Sequence, residues 1–269
     1  MHASVSHAPH SQKGWLLSPP REMPSALRLY CFPYAGAGVS AYMAWSIRVP
    51  AWLEVRGVQL PGRENRFSAP AVRRIDTLVS EASDAIAGSL DPPYAMFGCS
   101  LGALLAFELA SLWCQRGYPQ PTHLFVASCA APPLLRNLAS LSKLDDLSLL
   151  SVLEQRYGTF GTEALHEPEL RAIMLPTLRA DLEAIETYQY HSRPLLECPI
   201  TAVIGRDDRG LTRADVERWG ELTSGSFTVQ PVPGGHFLPR ESPAEVTQAI
   251  MQRLMPLHPP PAVPVPPRD

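Results

Sequence analysis

Tyr94-Ala-Met-Phe-Gly98-Cys99-Ser100-Leu101-Gly102-Ala-Leu-Leu-Ala-Phe-Glu-Leu-Ala110 decides the fold. A short apolar run ends at Gly98, and an Ala- and Leu-rich helix-forming run begins after Gly102. Between them lies G-x-S-x-G, a form in which serine occupies a sharp strand-to-helix turn with its hydroxyl exposed above a sheet. Crowding at such a turn demands small residues two before and two after the serine. The following helix points its positive N-terminal end to where an oxyanion develops. The pattern also occurs by chance; its place between a strand run and a helix run gives it weight.

A serine hydroxyl is a poor nucleophile at neutral pH and needs a base. Histidine suits, because its pKa lies near working pH, and a carboxylate then fixes the imidazole tautomer. Further strand runs are read at Leu27–Phe32, Glu54–Leu60, His123–Ser128, Pro199–Gly205 and Ser226–Val232. Asp207 and Asp208 follow the next-to-last strand, and His236 follows the last. Ser100, one of these two aspartates and His236 thus arrive in the chain order of α/β-hydrolases, all at C-terminal strand ends, where open α/β sheets place ligands. His123 begins a strand, while His166 and His191 lie between strands and fit the role less well. Asp181 and Glu183 are the fallback acids.

Outward from this centre, Val72–Leu90 has helical spacing, with Ile75, Leu78, Val79, Ala82, Ile86 and Leu90 on one face. Residues 132–191 lack strand runs. Leucines at 141, 144, 147, 150 and 153 recur at helical spacing, and two further helices, Glu169–Leu175 and Thr177–Tyr190, are expected on either side of Pro176. A helical insertion there predicts a lid lining an acyl channel, with Ala184 as a channel position. Ser242-Pro-Ala-Glu245 predicts a capping box opening the last helix, which runs to about Met255. Gly36-Ala-Gly-Val-Ser-Ala41 matches a dinucleotide fingerprint, but Glu54 is poorly placed for a ribose. The same loop serves better as a second amide source for the oxyanion, with Ala35 and Leu101 as donors. Arg63 and Arg66 are read as solvated loop charges rather than a phosphate site.

The chain has 269 residues, 45% hydrophobic and 18% charged, enough for one α/β domain with an insertion or for two domains. The domain is placed at residues 25–256, with a mobile extension at 1–24 and a Pro-rich disordered tail at 257–269. A net charge of −3 and no basic stripe argue against nucleic acid. No run is apolar enough to span a bilayer, and none resembles a secretory signal. Five widely spaced cysteines without a C-x-x-C predict reduced thiols in a cytoplasmic protein. No metal-ligand spacing is seen, and no metal or cofactor is expected.

Several stretches together carry a family resemblance: Cys31-Phe-Pro-Tyr-Ala-Gly-Ala-Gly38, Val58-Gln-Leu-Pro-Gly-Arg63, the stretch around Ser100, Arg179-Ala-Asp-Leu-Glu-Ala-Ile-Glu-Thr-Tyr188, Gly205-Arg-Asp-Asp208 and Gly234-Gly-His-Phe237. In this order over Leu27–Met255, the chain resembles the type II thioesterases that work beside non-ribosomal peptide and polyketide synthases. The resemblance implies an α/β-hydrolase fold, a mostly parallel sheet flanked by helices, with a helical lid. It also implies hydrolysis of acyl groups from the phosphopantetheine arm of acyl or peptidyl carrier proteins, clearing stalled or wrong units. A monomer that meets its carriers transiently is expected. The family's acid lies three residues after the strand-end glycine, which selects Asp208. One departure is Cys99, where the family usually has histidine. The rival expectations are a free-ester or lipid hydrolase, an inactive binding protein of the same fold and, last, a nucleotide-binding oxidoreductase.

Overall fold

A computed structural model describes residues 14–21, 23–90, 93–136, 138–158 and 167–255. Seven strands form one sheet: β1 Leu16–Leu17, β2 Leu27–Phe32, β3 Leu53–Val58, β4 Tyr94–Cys99, β5 Leu124–Ala127, β6 Ile200–Gly205 and β7 Phe227–Val232. Their order is β1-β3-β2-β4-β5-β6-β7, with β1 antiparallel to β3 and every other pair parallel. The fold is that of the α/β-hydrolases, as expected from the strand runs and the turn at Ser100. Register aligns the strand ends: Phe32 pairs with Gly98, Cys99 with Ala127, and Gly205 with Val232. The residues that follow these ends are thereby gathered along one edge.

Alternation along β2 shows why the sheet is covered on both faces. Tyr30 and Phe32 pack into one apolar cluster, while Leu29 and Cys31 pack into the other. The first cluster is completed by α2 (Ile75–Ile86) and α3 (Leu101–Gln115), the second by α1 (Ser40–Met43), Trp45 and the final helix α8 (Pro243–Leu254). Helix α3 is buried on nearly every side, so its sequence reads as continuously apolar rather than as a stripe. Among the described residues the remaining α-helices are α4 (Asp146–Tyr157), α5 (Pro168–Glu186), α6 (Arg213–Glu217) and α7 (Leu238–Glu241). Among the described residues, no helix is long and apolar enough to cross a membrane.

Three local expectations are corrected. The extension expected at 1–24 already contains fold: Trp15 is 6% exposed, lies under the Arg66 guanidinium at 4.1 Å, and precedes β1. Leu16 and Leu17 pair with Val58 and Gly57. A two-residue strand carries too little periodicity to be read. Residues 1–13 of that extension, and the tail at 257–269, lie outside the described residues. Next, the two helices expected around Pro176 are one helix, α5. Pro176 is exposed, so the ring and the carbonyl it leaves unpaired face water rather than the core. Finally, the capping box at Ser242 does not form. The Ser242 hydroxyl donates instead to the Pro233 carbonyl at 2.6 Å, binding the start of α8 to the loop that carries His236. A capping box does form at Thr212 and Asp215, opening α6.

His123 immediately precedes β5, its Nε2 paired with Thr201 Oγ1 on β6 at 2.8 Å and its ring stacked 4.2 Å from Phe125. Burial, aided by the Arg253 charge, holds its pKa down to about 4. The folded state therefore favours the neutral ring. Its contribution is complete above the unfolded value of about 6.5 and is lost as pH falls from there towards about 4. The expected loss is on the order of 3 kcal/mol. Urea unfolding of wild type and His123→Gln at pH 7 and pH 4.5 checks this: the wild type should lose clearly more stability between the two pH values than the variant.

Candidate active site

The turn at Ser100 is built by backbone crowding. A Cβ on Gly98 would stand 2.1 Å from the Gly102 carbonyl oxygen, and one on Gly102 would stand 2.0 Å from that of Phe32. Neither obstacle is a flexible side chain, so both positions are closed to any other residue. Ser100 itself has φ 53° and ψ −117°, a sparsely populated region costing on the order of 1–3 kcal/mol. Its amide donates to Ala127 O at 2.8 Å, which holds the turn against β5. The strained conformation directs the side chain away from the sheet edge into a cavity shared with His236.

His236 is 6% exposed. Its Nδ1 meets Asp208 Oδ2 at 2.9 Å, and that carboxylate is wholly buried. The second Asp208 oxygen accepts from the Gly210 amide at 2.8 Å, so the acid is oriented from both sides. Asp207 is exposed, contributing only a backbone bond to Gly234 O. Of the two adjacent aspartates, Asp208 is the one whose side chain turns to His236. The histidine loop has its own ties. Glu241 accepts from the amides of Gly235 and Phe237, Ser242 holds Pro233, and the Cys99 thiol donates to His236 O at 3.7 Å. Burial pushes the Cys99 thiol pKa well up, so it lies beneath the site as a neutral group.

Two cavities meet at Ser100, Tyr157 and His236. One, about 100 Å³, is lined by Tyr34, Ala35 and Gly36 and by Leu150, Leu153, Met174, Leu178, Leu182 and Ile185 from α4 and α5. The other, about 250 Å³, runs past Leu101 and Ser128 towards Leu134, Arg156 and Asp215. Ala35 lies in the loop after β2, and Leu101 at the first position of α3, where an amide has no intrahelical acceptor. Both expected donors therefore border the space in front of Ser100. Ala184 does not face a cavity, contrary to expectation. It is fully buried in the main core, while Leu178, Leu182 and Ile185 form the lining face of α5.

Two features escaped the sequence reading. Tyr157 lies with its ring centroid 4.1 Å from that of His236, covering the imidazole. The larger departure is Arg63, where the sequence predicts a solvated charge. It is 6% exposed and clasps Asp181 with two hydrogen bonds of 2.6 and 2.7 Å. Asp181, the fallback acid, has both carboxylate oxygens committed to Arg63 and Gly36. Both residues fall in stretches that stand out in the sequence, Pro-Gly-Arg and Arg-Ala-Asp, but nothing local links them.

Residues 27–254 match the family model described as a thioesterase domain. The chain belongs to the thioesterase family. It is a hydrolase acting on thioesters. It is similar to the gramicidin S biosynthesis protein GrsT of Aneurinibacillus migulanus, 36% identical over 240 residues that make up 89% of this chain and 93% of that one. Among solved structures, it superposes with the RedJ thioesterase of the prodiginine pathway in Streptomyces coelicolor at TM-score 0.81 and 38% identity, covering 88% of this chain and 91% of that one. YbtT, the type II thioesterase of the yersiniabactin pathway, gives TM-score 0.78 at 29% identity, covering 89% and 97%. The resemblance stated from the sequence motifs therefore holds for the family and for the fold, and the pathway of YbtT is one of non-ribosomal peptide and polyketide synthesis.

A substitution pair tests the assignment of the acid. In Asp208→Asn the carbonyl oxygen stays on the Gly210 amide and the NH2 group faces His236 Nδ1, which favours the wrong imidazole tautomer, and turnover should fall about 10⁴-fold. Asp207→Asn should stay within about twofold of wild type, since its side chain faces solvent. Steady-state hydrolysis of a pantetheine thioester by both variants measures the difference.

Proposed function

We propose that Ser100, His236 and Asp208 act as a catalytic triad that hydrolyses acyl groups from the phosphopantetheine arm of carrier proteins, clearing stalled or aberrant units from peptide or polyketide synthases. The observation that carries the reading is the left-handed turn at Ser100, facing one cavity together with the buried Asp208–His236 pair. The Ser100 oxygen attacks the thioester carbonyl carbon while His236 Nε2 takes its proton. The oxyanion forms against the amides of Ala35 and Leu101. Collapse breaks the carbon–sulfur bond, and the histidine returns the proton to the departing thiolate. A water molecule then repeats the attack on the acyl-serine, releasing acid and restoring Ser100. Asp208 keeps the imidazole proton on Nδ1 and stabilises the imidazolium.

A thioester has weak carbonyl resonance and a good leaving group, so a triad with two amide donors suffices and the chemistry calls for no metal or organic cofactor. The more apolar cavity, between α4 and α5, suits an acyl chain, and those two helices serve as its lid. The five cysteines are free thiols, four of them buried, which fits a reducing cytoplasm. Carrier proteins are the partners in this reading. Their contacts are brief and small, because an enzyme that samples many carriers must also leave them, and it does so as a monomer.

Ser100→Ala should retain the fold and lose turnover by several orders of magnitude, while Cys99→Ala keeps most of it. The substrate class is measured by kcat/KM for one acyl group on a carrier protein, on free pantetheine and on an oxygen-ester analogue. The carrier thioester should lead. A lead for the oxygen ester with no gain from the carrier would assign the chain to free-ester hydrolysis instead. Leu153→Trp, which narrows the apolar cavity, should shift the ratio of long-chain to short-chain turnover at least about tenfold towards short chains.

A further inference from the structure

The oxyanion loop is held by an ion pair that belongs to neither the triad nor the loop itself. Asp181 lies in the middle of α5 with 0% exposure, and Arg63 follows the turn after β3. Asp181 Oδ2 accepts both Arg63 Nη1 and the Gly36 amide, the latter at 2.8 Å. Arg63 Nη1 also donates to Ala37 O at 3.1 Å, and its Nε to Pro61 O. Gly36 is thus held by its amide and Ala37 by its carbonyl, from opposite members of the pair. The Ala37 amide in turn donates to Tyr34 O at 3.0 Å. Tyr34 C=O and Ala35 N–H share one planar peptide and point in opposite directions. Fixing the carbonyl inward, towards Ala37, fixes the Ala35 N–H outward.

We propose that Arg63 and Asp181 are positioning residues for the oxyanion amide of Ala35, and that they couple its aim to α5, the wall of the apolar cavity. The inference rests on Ser100 and Ala35 acting as described above. Leu178 and Leu182, which flank Asp181 on α5, line that cavity, and Leu178 also lies against Gly36. An acyl chain seated on α5 therefore presses on the same segment that sets the oxyanion donor. A bidentate guanidinium–carboxylate pair suits the task because its fork has one geometry. Stability alone does not call for it. Replacing a buried ion pair by apolar residues of similar volume often leaves a protein equally stable, whereas removing one partner strands a charge.

That contrast supplies the test. Arg63→Met combined with Asp181→Leu fills the space and strands no charge, yet removes the acceptor for Gly36 and the donor for Ala37. Two ligands bearing the same acyl chain are compared: a trifluoromethyl ketone, which adds the serine hydroxyl to give a tetrahedral oxyanion, and a pantetheine thioether, which stays uncharged. In the double variant, affinity for the ketone should fall at least tenfold, with thioether affinity within threefold. kcat should fall with ketone affinity while KM moves little, and thermal unfolding should stay near wild type. If the double variant does not fold, Arg63→Lys, which keeps the charge but not the fork, is read by the same ratio. Equal losses for both ligands, or wild-type ketone affinity in a folded variant, would overturn the proposal. Failure of the wild-type protein to bind the ketone would instead overturn the role of Ser100.

Discussion

Backbone meeting backbone at the end of β4 is the constraint on which the rest depends. Gly98, Gly102 and Phe32 approach so closely that no Cβ fits at either glycine. This approach lets α3 begin directly over the sheet, and it forces Ser100 into a conformation that few residues adopt. The strain is tolerated because the elements on either side are rigid. β4 is buried throughout between β2 and β5, and α3 is buried along most of its length. A turn of this kind on a weaker scaffold would relax, and the serine would leave the edge where Asp208 and His236 are delivered.

The edge is also where the sheet's register becomes chemistry. Each strand end carries one part of the proposed site: the loop after β2 the Ala35 amide, the turn after β4 Ser100, the loop after β6 Asp208, and the loop after β7 His236. None of these loops is left to itself. Asp208 is held by the Gly210 amide, the His236 loop by Glu241 and Ser242, and the Ala35 loop by Arg63 and Asp181. The His236 and Ala35 loops are therefore fixed by side chains from other elements, and the Asp208 carboxylate by an amide of its own loop.

This division explains what was legible in the sequence. The buried strands and the Ser100 turn announce themselves, because apolar runs and small residues at fixed offsets are local properties. The order of serine, aspartate and histidine is likewise linear. The supports are not. Arg63 and Asp181 lie 118 positions apart, and each alone looks like a surface charge. Ser242 carries every local mark of a helix cap, yet a carbonyl nine residues earlier takes its hydroxyl. Pro176 marks a break by local rules, and tertiary position sets it on the wet side of a continuous helix. Ala184 and Leu182 are near neighbours on α5, but only the helix's rotation tells which one meets substrate.

The thiol beneath the serine has a consequence for an enzyme whose turnover releases another thiol. A thiol freed at the site would meet any reactive sulfur there, and exchange or mixed-disulfide formation would leave it attached to the protein. Exchange requires a thiolate and access. Cys99 offers neither: it is fully buried and its proton is held by desolvation, with the His236 carbonyl as acceptor. Cys129, which borders the second cavity, is raised to about 12 by burial. The half-buried Cys114 is at the far end of α3, bonded to Gln120 rather than facing either cavity. Sulfur close to the reaction is thus kept chemically silent, and the product leaves as it was made.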